Sequence, residues 1–144
     1  SQNGQVKIPI NMTEAKQASP ERFIQRTHGA GVQQIAFECD DIMNAAAQLD
    51  QDKVLPIPGN YYREIEGKFQ IESTLLEQMK SLNVLYDRND EGEFFHFYTR
   101  EVQGAFFEVV QRVGGYAGFG EPNAHVRFAA QAAIREMEAT MALN

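Results

Sequence analysis

The sequence predicts an α+β domain with a curled mixed sheet, short inserted helices and a C-terminal helix. Residues 93–112 read as two aromatic-rich strands joined by a tight turn that ends at Gly104. Residues 32–50 read as a strand, a turn and a helix, and a long helical pattern closes the chain. The resulting order is strand, helix, strand, inserted helices and three consecutive strands, which is a βαβββ arrangement.

The individual elements follow from periodicity and from turn residues. Strands are predicted where apolar, β-branched and aromatic residues alternate or cluster, at residues 5–11, 32–38, 54–58, 83–88, 93–100 and 105–112. Helices are predicted where apolar residues recur three and four positions apart, at residues 20–25, 42–50, 61–69, 72–82 and 123–142. Asp40-Asp41 offers a carboxylate cap for the second helix. The prolines at 56 and 58 restrict their strand to an edge or an end.

These elements group into three segments. Residues 1–28 are expected to hold the last strand of a preceding module, residues 6–10, and a linker. Residues 29–113 form the βαβββ module. Residues 114–144 begin with a glycine-rich turn, and the helix that follows is predicted to act as a lid or a packing element. Its apolar stripe is predicted at Val126, Ala130, Ala133, Met137 and Met141.

The central hairpin carries the candidate chemistry. Side chains alternate faces along a strand, so His96 on the first strand and Glu108 on the second share a face with apolar neighbours. A turn centred on Val102 predicts that these two residues lie directly opposite each other, close enough to reach one metal ion. A charge-assisted hydrogen bond within the pair explains the same pattern equally well. A one-residue slip in register would turn both groups away from the shared face.

Composition narrows the class of protein. The 144 residues include 13 basic and 20 acidic side chains and no basic cluster, so a nucleic-acid partner is not expected. No segment reads as a membrane span or a signal peptide, so a membrane partner is not expected either. The single cysteine, Cys39, cannot form an internal disulfide, which favours a reducing compartment and predicts a cytoplasmic protein.

Six segments in chain order carry a resemblance to a known family, at residues 8–11, 31–36, 40–42, 58–62, 106–112 and 118–123. On these segments the chain resembles one module of the vicinal-oxygen-chelate (glyoxalase/bleomycin resistance) superfamily. It is more closely similar to the C-terminal end of 4-hydroxyphenylpyruvate dioxygenase and its relatives. The sequence at residues 85–88 and 96–99 is also similar to the dioxygenase-like domain fused behind 3-dehydroshikimate dehydratase.

The resemblance implies a non-haem Fe(II) site made of two His and one Glu, with open positions for a 2-oxo acid and O₂. It implies that Glu108 is the carboxylate ligand and that position 34, where this chain has Gln34, is a ligand position. Another divalent metal in place of Fe(II), or no metal, remains an alternative, because an amide oxygen binds Fe(II) more weakly than imidazole does. The remaining family His belongs to an earlier module. His96 replaces a pocket Gln of the family, so a His–Glu pair is expected in a rotated site, with His28 and His125 as weaker, solvent-facing candidates.

The resemblance also implies a substrate pocket. Tyr98 stands where Phe is usual, and Ala124 replaces an aromatic wall, so the ligand is expected to be a small organic acid other than hydroxyphenylpyruvate. The positions that line the family pocket are Pro9, Asn11, Gln33, Tyr98, Phe106 and Phe119. For each of these residues a purely structural role in the core or in a turn remains the alternative.

Three functions are therefore considered. The first is a 4-hydroxyphenylpyruvate dioxygenase-like oxidoreductase of aromatic catabolism that acts on a 2-oxo acid or a related aromatic or alicyclic acid. The second is a catalytically degenerate module for dimerisation or ligand binding, and the third is a metal-dependent isomerase or lyase. Because superfamily sites lie between paired modules, we expect a homodimer or docking with further modules of a longer chain.

Overall fold

The computed structural model describes Ile8 and residues 19–143, with side chains described from residue 21 onward apart from Ile8. The chain divides into two units, residues 1–33 and residues 34–144. In the first unit, helix α1 covers Ser19–Thr27 and confirms the predicted first helix. Its last residue, Thr27, donates a side-chain hydrogen bond to the Phe23 carbonyl at 2.8 Å. The strand predicted at residues 5–11 lies outside the described residues except for Ile8.

The second unit contains a four-stranded mixed sheet and confirms the α+β class. The sheet order is β1-β4-β3-β2, in which β1 pairs parallel with β4 and the other pairs are antiparallel. Within residues 19–143 the four strands do not close into a barrel. Its strands are β1 Gln34–Glu38, β2 Leu85–Arg88, β3 Gly92–Tyr98 and β4 Phe106–Gly114. The helices of this unit are α2 Ile42–Ala47, α3 Gly59–Phe69, α4 Ser73–Ser81 and α5 Ala124–Met141, with 3₁₀ turns at Gln51–Lys53 and Glu121–Asn123.

Strand pairing fixes two faces of the sheet. Ala36 pairs with Glu108, and Glu108 pairs with Tyr98, so these residues and their neighbours two positions away lie on one face. We call this the inner face, and Arg127 of α5 lies over it, against the rings of Tyr98 and Phe106. The outer face carries alternate residues such as Phe95 and Phe97 and packs in the main core with apolar side chains of α2, α3 and α4. The core therefore lies on both sides of β3, the strand that carries His96.

The hairpin register differs from the predicted one. Tyr98, rather than His96, is the Cα partner of Glu108, and His96 pairs with Val110. The turn lies one residue later than predicted, because Gln103 and Gly104 both adopt positive φ, at 54° and 86°. Two consecutive positive φ values are typical of the type I′ turn that closes hairpins. The shift of two positions in pairing preserves the shared face, so His96 and Glu108 still point to the same side.

Other boundaries were predicted less accurately. β1 begins at Gln34 rather than at residue 32, because its partner strand begins at Phe106 and offers no earlier pairing. α2 ends at Ala47 rather than at Asp50, because the Asp50 side chain accepts from the Asp52 N–H and starts a separate turn. Residues 54–58 form no strand, since Val54 makes a single bridge with Thr99.

The predicted stripe of α5 was wrong in its second half. Met137 and Met141 are 59% and 70% exposed, and Ala133 is exposed as well. The buried face instead contains Val126, Arg127, Ala130 and Gln131. Two of these four residues are polar, so a search for apolar spacing cannot find the face that packs on the sheet.

Candidate functional site on the inner face

Three residues predicted for one site meet on the inner face. The imidazole Nδ1 of His96 lies 2.7 Å from Oε1 of Glu108, and the side-chain amide of Gln34 donates to Oε2 of Glu108 at 2.5 Å. Gln34 lies on β1, His96 on β3 and Glu108 on β4. His96 is fully buried and Glu108 is 5% exposed. Their role as metal ligands stays a prediction.

The other imidazole nitrogen is also occupied. The side-chain amide nitrogen of Asn123 lies 3.0 Å from Nε2 of His96 and also donates to the Tyr86 carbonyl at 3.0 Å. Because an amide NH₂ can only donate, Nε2 of His96 is the acceptor and Nδ1 carries the proton that it donates to Glu108. The buried chain of hydrogen bonds thus runs from Asn123 through His96 and Glu108 to Gln34.

Asn123 is held in place from two sides. The Tyr61 hydroxyl lies 3.2 Å from the Asn123 side-chain oxygen and accepts from the Tyr86 N–H at 2.8 Å. The backbone enters this turn through Gly120, whose φ is +66°. A Cβ at position 120 would lie 2.6 Å from the Phe94 ring and 3.2 Å from the His96 ring. Only glycine therefore allows this turn to approach the imidazole so closely.

Tyr98 and Phe106 line the next part of the inner face, and Arg127 of α5 lies over both rings. The guanidinium carbon is 4.9 Å from the centre of the Phe106 ring and 5.5 Å from that of Tyr98. Burial raises the pKa of the Tyr98 hydroxyl, and the neighbouring Glu108 charge raises it further while Arg127 lowers it. Burial also lowers the pKa of Arg127, an effect that Tyr98 and Glu108 oppose. The Glu108 charge is thus balanced by a buried cation.

The other predicted site residues have their own surroundings. Phe119 is 43% exposed, and its ring centre lies 5.8 Å from the Arg112 guanidinium carbon. Gln33 is half-buried and belongs to the first unit. His28 and His125 are exposed, as the sequence predicted. Pro9 and Asn11 lie outside the described residues.

The donor set does not fit the Fe(II) site that the resemblance implies. Both nitrogens of His96 and both oxygens of Glu108 already take part in hydrogen bonds within the protein. Gln34 faces the carboxylate with its NH₂ group, which has no lone pair to offer a metal. Among the described residues, no group of three His, Cys, Asp or Glu side chains is placed to hold a metal ion.

Sequence reasoning missed the roles of Asn123 and Arg127. Asn123 was placed only at the start of the last helix, although its position after a glycine-rich turn is typical of residues that bind or hold a partner group. Arg127 and Gln131 lie four residues apart among apolar and small residues, and they hydrogen-bond to each other at 3.2 Å. Such a polar i, i+4 pair inside an apolar helix pattern is the signal that could have identified them.

The sequence is similar to two groups of known proteins. The chain is 40% identical over 139 residues to a 3-dehydroshikimate dehydratase of Pseudomonas putida, covering 94% of this chain and 22% of that protein. It is 36% identical over 125 residues to a 4-hydroxyphenylpyruvate dioxygenase of Pseudomonas aeruginosa, covering 83% of this chain and 35% of that protein. No protein-family model matches the chain.

Two solved structures share the fold. One is a fusion of a xylose isomerase-like TIM barrel and 4-hydroxyphenylpyruvate dioxygenase, with a TM-score of 0.70 and 44% identity over 74% of this chain and 18% of that one. The other is a mutant of 4-hydroxymandelate synthase from Streptomyces coelicolor, with a TM-score of 0.66 and 32% identity over 81% of this chain and 34% of that one. The chain therefore spans between a fifth and about a third of the length of these relatives.

The mixed sheet and its likeness to these two structures define a vicinal-oxygen-chelate module. More particularly, the chain belongs to the 4-hydroxyphenylpyruvate dioxygenase-like modules, including the dioxygenase-like region of 3-dehydroshikimate dehydratases. In the part of the chain that the structure describes, none of the helices combines the length and apolar character needed to cross a bilayer.

Proposed function

We propose that this chain is a metal-free, dioxygenase-like docking domain of a longer polypeptide of the 3-dehydroshikimate dehydratase type. The observation that carries the proposal is the closed hydrogen-bond chain from Asn123 through His96 and Glu108 to Gln34. A satisfied buried polar network stabilises a unique packing, and here it engages both nitrogens of His96 and both oxygens of Glu108. The domain then contributes its fold and surface rather than an oxygenase reaction.

The charge balance supports this function. A buried carboxylate requires a cation or hydrogen bonds to offset its desolvation. Glu108 has both, because Gln34 and His96 donate to it and Arg127 lies nearby across Tyr98. These contacts offset the burial of the carboxylate without a metal ion.

The β1 edge supports docking. Among the described residues β1 pairs on one side only, with β4, and such an edge strand can pair through its backbone with another chain. Beside this edge, Ile35, Phe37 and Phe107 are 45%, 55% and 46% exposed, and the Phe37 and Phe107 ring centres lie 5.9 Å apart. We propose a second dioxygenase-like module as the occupant, because a solved relative that carries such a region is a much longer fusion protein.

A test of docking uses the isolated chain, in which a second copy takes the place of the missing module. We expect a dimer by light scattering at micromolar concentration, and Phe37→Lys should convert it to a monomer that keeps the native circular dichroism spectrum. Met137→Lys is the matched control, because Met137 is similarly exposed on α5 and should leave the dimer intact. A monomeric native chain, or equal effects of both substitutions, would contradict the proposed surface.

A second candidate function is a 4-hydroxyphenylpyruvate dioxygenase-like oxygenase that holds Fe(II). The convergence of Gln34, His96 and Glu108, the three residues that the sequence predicts as ligands, favours it. It requires Asn123 and Gln34 to release their partners, and a further imidazole from another module. When bound, the iron would supply the activation of O₂ and the binding of a 2-oxo acid.

Metal retention separates the two candidates. After anaerobic incubation with Fe(II) and desalting, we expect the native chain to retain no stoichiometric iron and to consume no O₂ with 4-hydroxyphenylpyruvate. Gln34→His should raise iron retention, whereas Ile35→His, on the opposite face of the same strand, should not. One iron per native chain that is lost in both His96→Ala and Glu108→Ala would refute the metal-free function and establish the second candidate.

A cytoplasmic location is part of the proposal and is supported by the free thiol of Cys39.

A further inference from the structure

A small cleft lies between the end of β3 and the middle of α5. Its volume is about 40 Å³, and its polar lining consists of Arg100, Glu101, Gln131, Arg135 and Glu138, with Ile134 as an apolar wall. None of these residues belongs to the hydrogen-bond chain around His96. The volume exceeds the roughly 10–15 Å³ that one water molecule requires, and it suits a group of a few heavy atoms.

Gln131 turns two hydrogen-bond donors without partners toward this region. Its side-chain oxygen accepts from Nη1 of Arg127 at 3.2 Å. Because a guanidinium can only donate, this contact fixes the amide oxygen toward Arg127 and leaves the NH₂ group on the other side. The Nε2 atom is buried and has no hydrogen-bond partner among the described residues, in a side chain that is 3% exposed as a whole.

Arg100 adds a second unpartnered donor to the same cleft. Its Nε is buried and lacks a hydrogen-bond partner among the residues that the structure describes. The Glu101 carboxylate, the acceptor beside it in sequence, lies 3.6 Å from the Arg135 guanidinium and is engaged there. A buried donor without an acceptor has lost its hydration with no hydrogen bond to compensate for it. Two such donors lining one cleft call for a ligand that supplies acceptor atoms.

We propose that this cleft binds the carboxylate group of a small organic acid. A carboxylate has two acceptor oxygens and forms strong, charge-assisted hydrogen bonds with guanidinium groups. Glu138 lies exposed at the rim and Glu101 lies inside, so two anionic groups offset the two arginines. The lining therefore has no net positive charge, which disfavours a phosphate dianion relative to a group with a single negative charge. The site is independent of the docking surface on β1 and of the metal content of the inner face.

Nuclear magnetic resonance of the ¹⁵N-labelled native chain tests the site directly. Acetate is titrated at constant ionic strength against sodium chloride, and the side-chain NH₂ signal of Gln131 is identified by its loss in Gln131→Leu. We expect a saturable shift of this signal with millimolar affinity, about −4 kcal/mol, as befits a ligand of four heavy atoms. Inorganic phosphate should bind more weakly at the same concentration.

Two variants and a control complete the test. Arg100→Lys keeps the charge but removes the Nε donor, and Gln131→Leu removes the amide, so each should weaken acetate binding about tenfold. Glu138→Gln removes a rim charge and should leave binding equal or tighter. If Gln131→Leu fails to fold because Arg127 loses its partner, Arg100→Lys decides alone. A shift that chloride reproduces, or acetate binding unchanged in Arg100→Lys, would mean that water satisfies these donors and would overturn the site.

Discussion

Tyr98 lies directly opposite Glu108 across the central hairpin, while His96 reaches the same carboxylate diagonally, from two residues earlier on β3. The carboxylate therefore has an imidazole on one side and a phenol on the other. The phenol in turn lies beside the buried guanidinium of Arg127. Tyr98 thus lies between the opposite charges of Glu108 and Arg127. The effects of substituting these two residues on the free energy of unfolding should therefore depend on each other.

The first prediction concerns this coupling. Glu108→Gln should destabilise the protein because it leaves Arg127 as a buried cation without a balancing charge. Adding Arg127→Met should cost less in that background than in the native one, with a coupling free energy of about 1–3 kcal/mol. Denaturant unfolding of the native chain, both single variants and the double variant measures this quantity.

The control for the coupling uses a carboxylate outside the cluster. The Glu38 side chain is 64% exposed, so Glu38→Gln should change stability by less than about 0.5 kcal/mol and add independently to Arg127→Met. If Glu108→Gln and Arg127→Met are additive as well, Tyr98 does not transmit the charge balance.

The alternation of side chains along a strand predicted which residues of the site share a face of the sheet, but not how the strands pair. The parity of positions 96 and 108 placed both groups on one face, and that prediction survived an error of two positions in the register. The register itself depends on the positive φ of Gln103. A positive φ is uncommon for residues other than glycine, so the sequence does not predict it at this position. Arg127 escaped prediction because a buried charged residue lowers the apolar contrast on which the helix pattern depends.

The second prediction compares two neighbouring buried tyrosines. The Tyr61 hydroxyl accepts from the Tyr86 N–H and contacts the Asn123 side chain, whereas the Tyr62 hydroxyl is buried without a hydrogen-bond partner among the described residues. Tyr61→Phe should therefore destabilise the fold by about 1–3 kcal/mol, because it leaves a buried N–H without an acceptor. Tyr62→Phe should be neutral or stabilising, because it removes an unsatisfied hydroxyl.

Thermal or denaturant unfolding of the two variants provides the measurement. Their ring environments are similar, since the two rings pack edge to face with centres 5.1 Å apart. The difference between them therefore reports the hydroxyl groups rather than the packing. Equal losses in Tyr61→Phe and Tyr62→Phe would show that the Tyr61 hydrogen bonds do not organise the turn that holds Asn123.

The third prediction concerns the glycine that admits the turn at Asn123. Gly120→Ala combines a positive φ with a Cβ only 2.6 Å from the Phe94 ring, so it should destabilise the protein and displace the His96 ring. Gly67 is the contrasting site, because it lies inside α3 and an added Cβ meets nothing within 4 Å. Gly67→Ala should stabilise the protein by roughly 0.5–1 kcal/mol.

Unfolding midpoints and the NMR signals of the His96 ring distinguish these effects. A Gly120→Ala variant that keeps native imidazole signals would show that the turn adjusts without disturbing the site. A Gly67→Ala variant that loses stability would show that α3 requires glycine for a reason other than its helical backbone.

The fourth prediction is a pH dependence from the start of α4. The Glu72 carboxylate accepts from the Leu75 N–H at 3.0 Å and from the Thr74 hydroxyl at 3.0 Å. Hydrogen bonds from the backbone at Thr74 and Leu75 and from the Thr74 side chain lower the pKa of Glu72 in the folded state. A carboxyl group whose pKa is lowered in the folded state stabilises the protein at pH values above its unfolded pKa of about 4.3. This contribution is lost as the pH falls through the pKa of the folded state.

Between about pH 5 and about pH 3, the native chain should therefore lose more stability than Glu72→Gln, whose cap cannot be protonated. Glu66→Gln is the matched control, because Glu66 is an exposed glutamate of α3 whose removal should leave the acid profile unchanged. Denaturant midpoints measured across this range for all three proteins give the comparison. If the native chain and Glu72→Gln follow parallel curves, the cap of α4 does not contribute to acid sensitivity, and other carboxylates must account for it.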